Sequence, residues 1–336
     1  MKTKQQDVPY CSVREEKILS ASPKVYMESL QYFYHYIKER YSIHLKKDVI
    51  KQPYPWTKDP ILQKFRFTNI FREQDTETRW VIENIANSKS LCYEDKLLNC
   101  ILFRLYNRHD TATLIGLPIK FSTLQSFDPE QYRAIFDKNR KTPSDTFFTG
   151  AFLVSGLKNK LKAYTPNEKL DNNMEMRVLY FIKYLFDSKF VSKLLSCVTQ
   201  QEVYNFLCSL TGIGDFLAYQ IFVDYTYILE FPFSENEFVV AGIGCKKGLD
   251  YLFADKDGMT YEECLFWLRN NIRQLFETFI GDKCSPKKLF IDLPWEDRHY
   301  NVMCLENCMC EFGKYMKTIN KEGRPRQKYR QRSNVC

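Results

Sequence analysis

The stretch FPFSENEFVV carries two carboxylates, Glu235 and Glu237, among apolar neighbours. A carboxylate there could deprotonate a nucleophile or stabilise a cationic intermediate; otherwise both are acids of a surface loop. A little further on, AGIGCKKGL (241–249) places Lys246 and Lys247 among Gly242, Gly244 and Gly248. Flexible backbone beside two ammonium groups suits a phosphate or pyrophosphate. The spacing is not that of a Walker A loop and no Ser or Thr follows the lysines; a plain turn with solvated lysines has the same composition. A third group lies in KFRFTNIFREQDTETRWV (64–81), which also carries Arg66. A helix from about residue 68 would set Asn69, Arg72, Thr76 and Arg79 on one face, opposite Ile70, Phe71, Val81 and Ile82. Asn and Arg together read a base edge or clamp a phosphate, although an ordinary wet helix face needs no such role.

A glycine pair precedes all but the third group. LTGIGDFLAYQIFVDYTY (210–227) sets Gly212 and Gly214 between a hydrophobic pair and an apolar helix. The pattern resembles a helix-hairpin-helix, a module that grips a nucleic-acid phosphate. Both glycines can take the φ > 0 conformations of a tight hairpin, and the amides of the hairpin and the next first turn would then face a phosphate oxygen. An ordinary glycine turn between helices is the alternative. In DNA glycosylases built on this hairpin a catalytic Asp lies downstream, where this chain offers Glu235 and Glu237. The lyase members carry a Lys just after the second glycine; Phe216 stands here instead, which speaks against Schiff-base chemistry.

Helices must hold these groups, since helical periodicity dominates the chain. SPKVYMESLQYFYHYIKERYSIHL places Val25, Leu30, Tyr34 and Ile37 on a stripe behind a Ser22-Pro23 start signal. Further helices are expected at about 93–108, 128–138, 173–187, 200–209, 215–229, 260–279 and 296–318. EFVVAGIG is the best strand candidate, and the fold class is mostly α. The polar stretches FDKNRKTPSD (136–145) and GLKNKLKAYTPNEKLDNN (156–173) read as boundaries or long loops. The expected division is an N-terminal helical extension (1–50), a helical domain of two lobes (51–320) with the hairpin at about 205–230, and a basic tail (321–336). Two separate domains fit as well.

The chain of 336 residues is 44% hydrophobic, with 26 Phe, 22 Tyr and 4 Trp, enough for a large core. It has no apolar run of about 18 residues and no apolar segment behind its first residues, so neither a membrane nor a secretory route is expected. The expected location is intracellular: nuclear in a eukaryote, otherwise cytoplasmic. Twelve scattered cysteines without a CxxC suit free thiols in a reducing compartment. Cys304, Cys308 and Cys310, with His299 nearby, make a metal conceivable, but the four-cysteine run of an iron–sulfur cluster is missing. No cofactor is expected. Of the net charge of +8, Gly313–Arg332 supplies nearly all: eight basic residues, Arg324 and Arg326 among them, against Glu322. Interleaved with Tyr315 and Tyr329, that segment suits a polyanion such as nucleic acid, or is a solvated tail.

FRFTNIFREQD, FFTGAFLVSG (147–156), LTGIGDFLAYQIFVD, EFVVAGIGCKKGL and CEFGKYMKTINKEGRPRQKY, in this order over about residues 55–330, resemble the α-glutamyl/putrescinyl thymine pyrophosphorylase family. This is the helical domain also found joined to 5-hydroxymethyluracil DNA kinases, and it is similar to helix-hairpin-helix DNA glycosylases. The resemblance implies DNA as substrate, with its target base turned out of the stack, an amine or amino acid as co-substrate, and such a kinase as partner. It implies displacement of pyrophosphate from 5-pyrophosphoryloxymethyluracil. Arg66, Arg72, Lys246 and Lys247 are then candidates to stabilise the leaving group. Glu235 or Glu237, and more weakly Asp75, would take the amine's proton, while Asn69 orients base or amine. The sequence contains no kinase P-loop, so phosphorylation is expected from a separate enzyme. A glycosylase acting on a modified thymine and a non-catalytic DNA-binding module remain open.

Overall fold

The computed structural model describes residues 12–142, 146–150, 157–165, 173–280 and 301–329. The chain is mostly helical. In chain order the helices are α1 (Ser12–Ser20), α2 (Met27–His44), α3 (Pro60–Lys64), α4 (Thr76–Val81), α5 (Tyr93–Tyr106), α6 (His109–Leu114), α7 (Arg133–Asn139), α8 (Leu157–Lys160), α9 (Met174–Asp187), α10 (Phe190–Leu194), α11 (Gln200–Ser209), α12 (Asp215–Thr226), α13 (Ile243–Leu252), α14 (Tyr261–Ile280) and α15 (Val302–Ile319). Residues 143–145, 151–156 and 166–172, which include parts of FFTGAFLVSG and of both polar stretches, lie outside the described residues, as does 296–300. Among the described residues no helix is long and apolar enough to cross a membrane.

The fold groups into two compact units, Met1–Gln74 with Asn236–Cys336, and Asp75–Glu235. In the first, Phe33 of α2 lies against Phe276 of α14 (6.2 Å) and Phe312 of α15 (5.0 Å). Within residues 12–50, α2 thus contributes to this core. That helix begins at Met27, later than the Ser22-Pro23 signal, because Lys24–Val25 (β1) pair antiparallel with Phe253–Asp255 (β2) and the Tyr26 N–H donates to the Leu252 carbonyl (2.9 Å). Those backbone bonds replace the first helical turn.

The glycine-rich AGIGCKKGL segment is a helix start, not a flexible loop. On α13, a Cβ added to Gly248 would stand 2.0 Å from the Met309 carbonyl oxygen; one on Gly313 of α15 would stand 2.9 Å from the Gly244 carbonyl. The two helices touch backbone to backbone, and the glycines permit it. EFVVAGIG forms no strand either. The Ala241 N–H donates to Glu262 (3.0 Å) and the Gly242 N–H to Glu306 (3.3 Å), so carboxylates take bonds that a neighbouring strand would have used.

In the second unit α5 is buried from Asp95 to Tyr106. Its Arg104 grips Asp224 of α12 with two bonds, Nε to Oδ2 (2.5 Å) and Nη2 to Oδ1 (2.6 Å); Asn107 and Thr78 accept its other N–H groups. Both charges are buried, at 3% and 0% side-chain exposure. α11 opens on a capping box between Thr199 and Glu202 and is joined to α12 through Leu210–Gly214. Only Gly212 takes a positive φ, at 97°; Gly214 caps α12 in an extended conformation (φ −92°), so one glycine of the pair, not both, serves the left-handed turn.

Candidate functional site

The first unit gathers a buried polar cluster on α15. Thr68–Phe71, expected to be helical, is not: Arg72–Gln74 makes a short 3-10 turn and α4 starts only at Thr76. The reason is where the carbonyls go. Arg40 Nε donates to the carbonyls of Phe67 (3.2 Å) and Thr68 (2.9 Å), Asn307 Nδ2 to that of Asn69 (3.3 Å), and the Cys308 thiol to that of Ile70 (3.5 Å). A helix from 68 would need the same acceptors for its own N–H groups. The expected stripe therefore separates: Asn69 and Arg72 are buried, at 6% and 5% exposure, whereas Thr76 and Arg79 are exposed.

Asn69 is fixed at both ends of its amide, Oδ1 accepting from Arg40 Nη2 (2.6 Å) and Nδ2 donating to the Gln74 carbonyl (2.9 Å). The Arg72 N–H donates to Cys304 Sγ (3.5 Å), which brings its guanidinium to the electrostatic neighbourhood of Glu306. Glu306 is 7% exposed and accepts from the Gly242 N–H at the start of α13. The next residue, Ile243, is 91% exposed, so this carboxyl lies directly beneath a solvent-facing helix N-terminus.

Burial pushes the Glu306 carboxyl up to about 7, against the pull of Arg72 and of the Gly242 N–H; Glu311 adds to the rise. Burial works against the Lys314 ammonium, but Glu311 at 2.5 Å more than offsets it and its pKa is raised. Burial drives the Cys304 thiol well above its ordinary range, helped by Glu73, and Cys310 up to about 12. Protonated thiols are poor nucleophiles and poor metal ligands. What this cluster holds instead is a buried carboxyl whose pKa lies near neutrality, in the field of the buried Arg72 guanidinium. Among the described residues no three His, Cys, Asp or Glu side chains are grouped to hold a metal ion, and His299 lies outside them.

A family model described as "5-hmdU DNA kinase, helical domain" matches residues 27–324. The chain belongs to this family. A curated relative, a 5-hmdU DNA kinase of Bacillus phage SP10, is 24% identical over 295 residues, 82% of this chain and 43% of the relative. The chain thus spans less than half of that protein's length. No solved structure matches significantly. The kinase-associated part of the resemblance drawn from the sequence is what the family match supports.

The family's matched span takes in every site residue expected from sequence except Arg326. The fold brings Asn69 and Arg72 together with α15, and leaves the others elsewhere. Glu235 is half-buried and Glu237 exposed, on a turn whose anchor is the residue between them: Asn236 Oδ1 accepts from the Val302 N–H (3.2 Å) and its carbonyl from Arg269 (2.9 Å). Lys246 and Lys247 project from α13 over the rings of Tyr261 (5.5 Å) and Tyr251 (4.7 Å). Arg66, Arg324 and Arg326 are exposed. Gly212 and Gly214 lie in the α11–α12 connection of the other unit. Glu306 is the residue that sequence reasoning missed. Its signal was present: Val302, Glu306, Met309 and Gly313 share one face of a helix, and a carboxylate on such an apolar stripe calls for a partner or a function.

Proposed function

We propose that the protein takes part in thymine hypermodification of DNA as a base-modifying transferase. An amine or amino acid displaces pyrophosphate from 5-pyrophosphoryloxymethyluracil. The nitrogen lone pair forms a bond to the methylene carbon, the carbon–oxygen bond breaks, and its electron pair leaves with pyrophosphate. The nitrogen's surplus proton passes to a carboxylate. The observation that carries this reading is the buried Glu306 beside Arg72 in a chain of the 5-hmdU DNA kinase helical-domain family. Displacement by an amine needs a base that is half-ionised near neutrality and a cation for the departing charge.

Glu306 fits the base better than Glu235 or Glu237, which solvent reaches. Arg72 stabilises the leaving pyrophosphate, with the exposed Lys246 and the half-buried Lys247 of α13 drawing it outward, and Asn69, rigidly held, orients the base or the amine. The Leu210–Gly214 connection acts as a helix-hairpin-helix, its amides and the first turn of α12 holding a DNA phosphate. A 5-hydroxymethyluracil DNA kinase supplies the phosphorylated base.

Nucleoside mass spectrometry tests the proposal. DNA carrying 5-pyrophosphoryloxymethyluracil is incubated with the protein and a mixture of amines and amino acids. Loss of pyrophosphate with gain of one amine is expected. Free base and an abasic site would make the protein a glycosylase, and an unchanged nucleoside with salt-sensitive binding would leave a DNA-binding module.

A further inference from the structure

The residues beyond α15 are folded back onto the chain ahead of them. Phe65 and Lys328 form an isolated antiparallel bridge, the Arg66 N–H donating to the Gln327 carbonyl (3.0 Å) and the Tyr329 N–H to the Lys64 carbonyl (3.1 Å). Residues 327–329 are thereby held beside 64–66; residues 330–336 lie outside the described residues. The pairing collects charge. Lys64, Arg66, Arg324, Arg326 and Lys328 are all exposed while Pro325 among them is buried, and none forms an ion pair among the described residues.

The same pairing builds an aromatic row. Tyr329 stands edge-on to Trp56 (5.3 Å), and Trp56 edge-on to Tyr54 (5.3 Å). Trp56 Nε1 donates to the Gln52 carbonyl (2.7 Å), which fixes the middle ring, and Tyr54 at the end of the row is 40% exposed. Exposed cations without counter-charges next to an exposed, pre-ordered ring are the two parts of a single-strand binding platform: charge that follows the backbone, and a π-face on which an unstacked base can lie.

We propose that this surface binds a single-stranded stretch of DNA, the phosphates on the cations flanking the Phe65–Lys328 bridge and a base on Tyr54. It rests on the DNA part of the functional reading above and not on the transfer chemistry. A single strand is the favoured form because stacked, paired bases offer no face to Tyr54, and a target base turned out of its helix leaves neighbouring nucleotides unpaired.

Fluorescence anisotropy of the full chain with an unmodified labelled oligonucleotide, single-stranded and duplex, tests this without any amine or modified base, so failure of the transferase reading leaves the result intact. The single strand is expected to bind about tenfold tighter or better. Tyr54→Ala is expected to weaken single-strand binding about 5- to 100-fold and leave the duplex unchanged. Arg324→Ala with Arg326→Ala is expected to lower the slope of log affinity against log salt by about 1.4. Arg66→Ala, at an exposed side chain whose backbone carries the pairing, should lower it by about half as much and guards against loss of the fold. Equal binding of strand and duplex, Tyr54→Ala without effect, or competition by polyglutamate as effective as by DNA would each overturn the proposal.

Discussion

Replacing Glu306 with Gln should change how stability responds to pH. The Gln side chain keeps an oxygen for the Gly242 N–H, so the main difference is the proton. In the unfolded chain this carboxyl ionises near its ordinary value of 4.5, in the fold at about 7. The folded state therefore holds the proton more tightly, and the stability this confers is fully present below 4.5 and lost as pH rises through 7. Each pH step between the two values is worth about 1.4 kcal/mol, so the loss reaches about 3 kcal/mol. Urea unfolding of wild type and Glu306→Gln at matched pH values cancels the other titrating groups. The variant should gain on the wild type as pH rises from acid to mildly alkaline, by about 3 kcal/mol in all. A difference that stays flat across this window, or that is complete by pH 5, would show that burial does not hold the proton on Glu306.

Gly248→Ala should destabilise the first unit by about 3 kcal/mol or more in chemical denaturation, since its Cβ would meet the Met309 carbonyl oxygen at 2.0 Å; Gly214→Ala, with nothing within 4 Å and an extended backbone, should stay within about 1 kcal/mol of wild type. Asp224→Ala leaves Arg104 buried without its partner and should cost about 3–5 kcal/mol, read in the same way. Cys245 and Cys304, both buried with raised pKa values, should resist alkylation at pH 8 until the chain unfolds, while the exposed Cys92 is labelled in the folded chain; mass mapping of the labelled thiols decides it.

Much of the helical framework was legible in local spacing. α9 (Met174–Asp187) and α11 (Gln200–Ser209) fall within a residue of their expected limits because the apolar faces of both, and the capping box of α11, are written in consecutive residues. The errors share another cause. FRFTNI has the composition of a helix, yet its carbonyls are claimed by Arg40, Asn307 and Cys308, residues distant in sequence whose arrival a local pattern does not encode. Gly244 and Gly248 were visible as glycines, but whether a glycine supplies flexibility or close approach depends on the surface opposite, here the backbone of α15. Glu306 sits in a different class. Its place on an apolar stripe was readable, and what the sequence could not reveal was the Arg72 guanidinium and Gly242 N–H that make it more than a misplaced acid. The Arg104–Asp224 pair joins positions 120 apart and carries no local mark at all.

The most direct measurement is pyrophosphate release from DNA containing 5-pyrophosphoryloxymethyluracil, followed with and without an amine, across pH, for wild type and Glu306→Gln. Release is expected to require the amine, to rise as the carboxyl of Glu306 ionises at about 7, and to fall about 10²- to 10⁴-fold in the variant. Release without amine, or an unchanged rate and pH profile in Glu306→Gln, would contradict the assignment of this buried carboxyl as the base of an amine transfer to DNA.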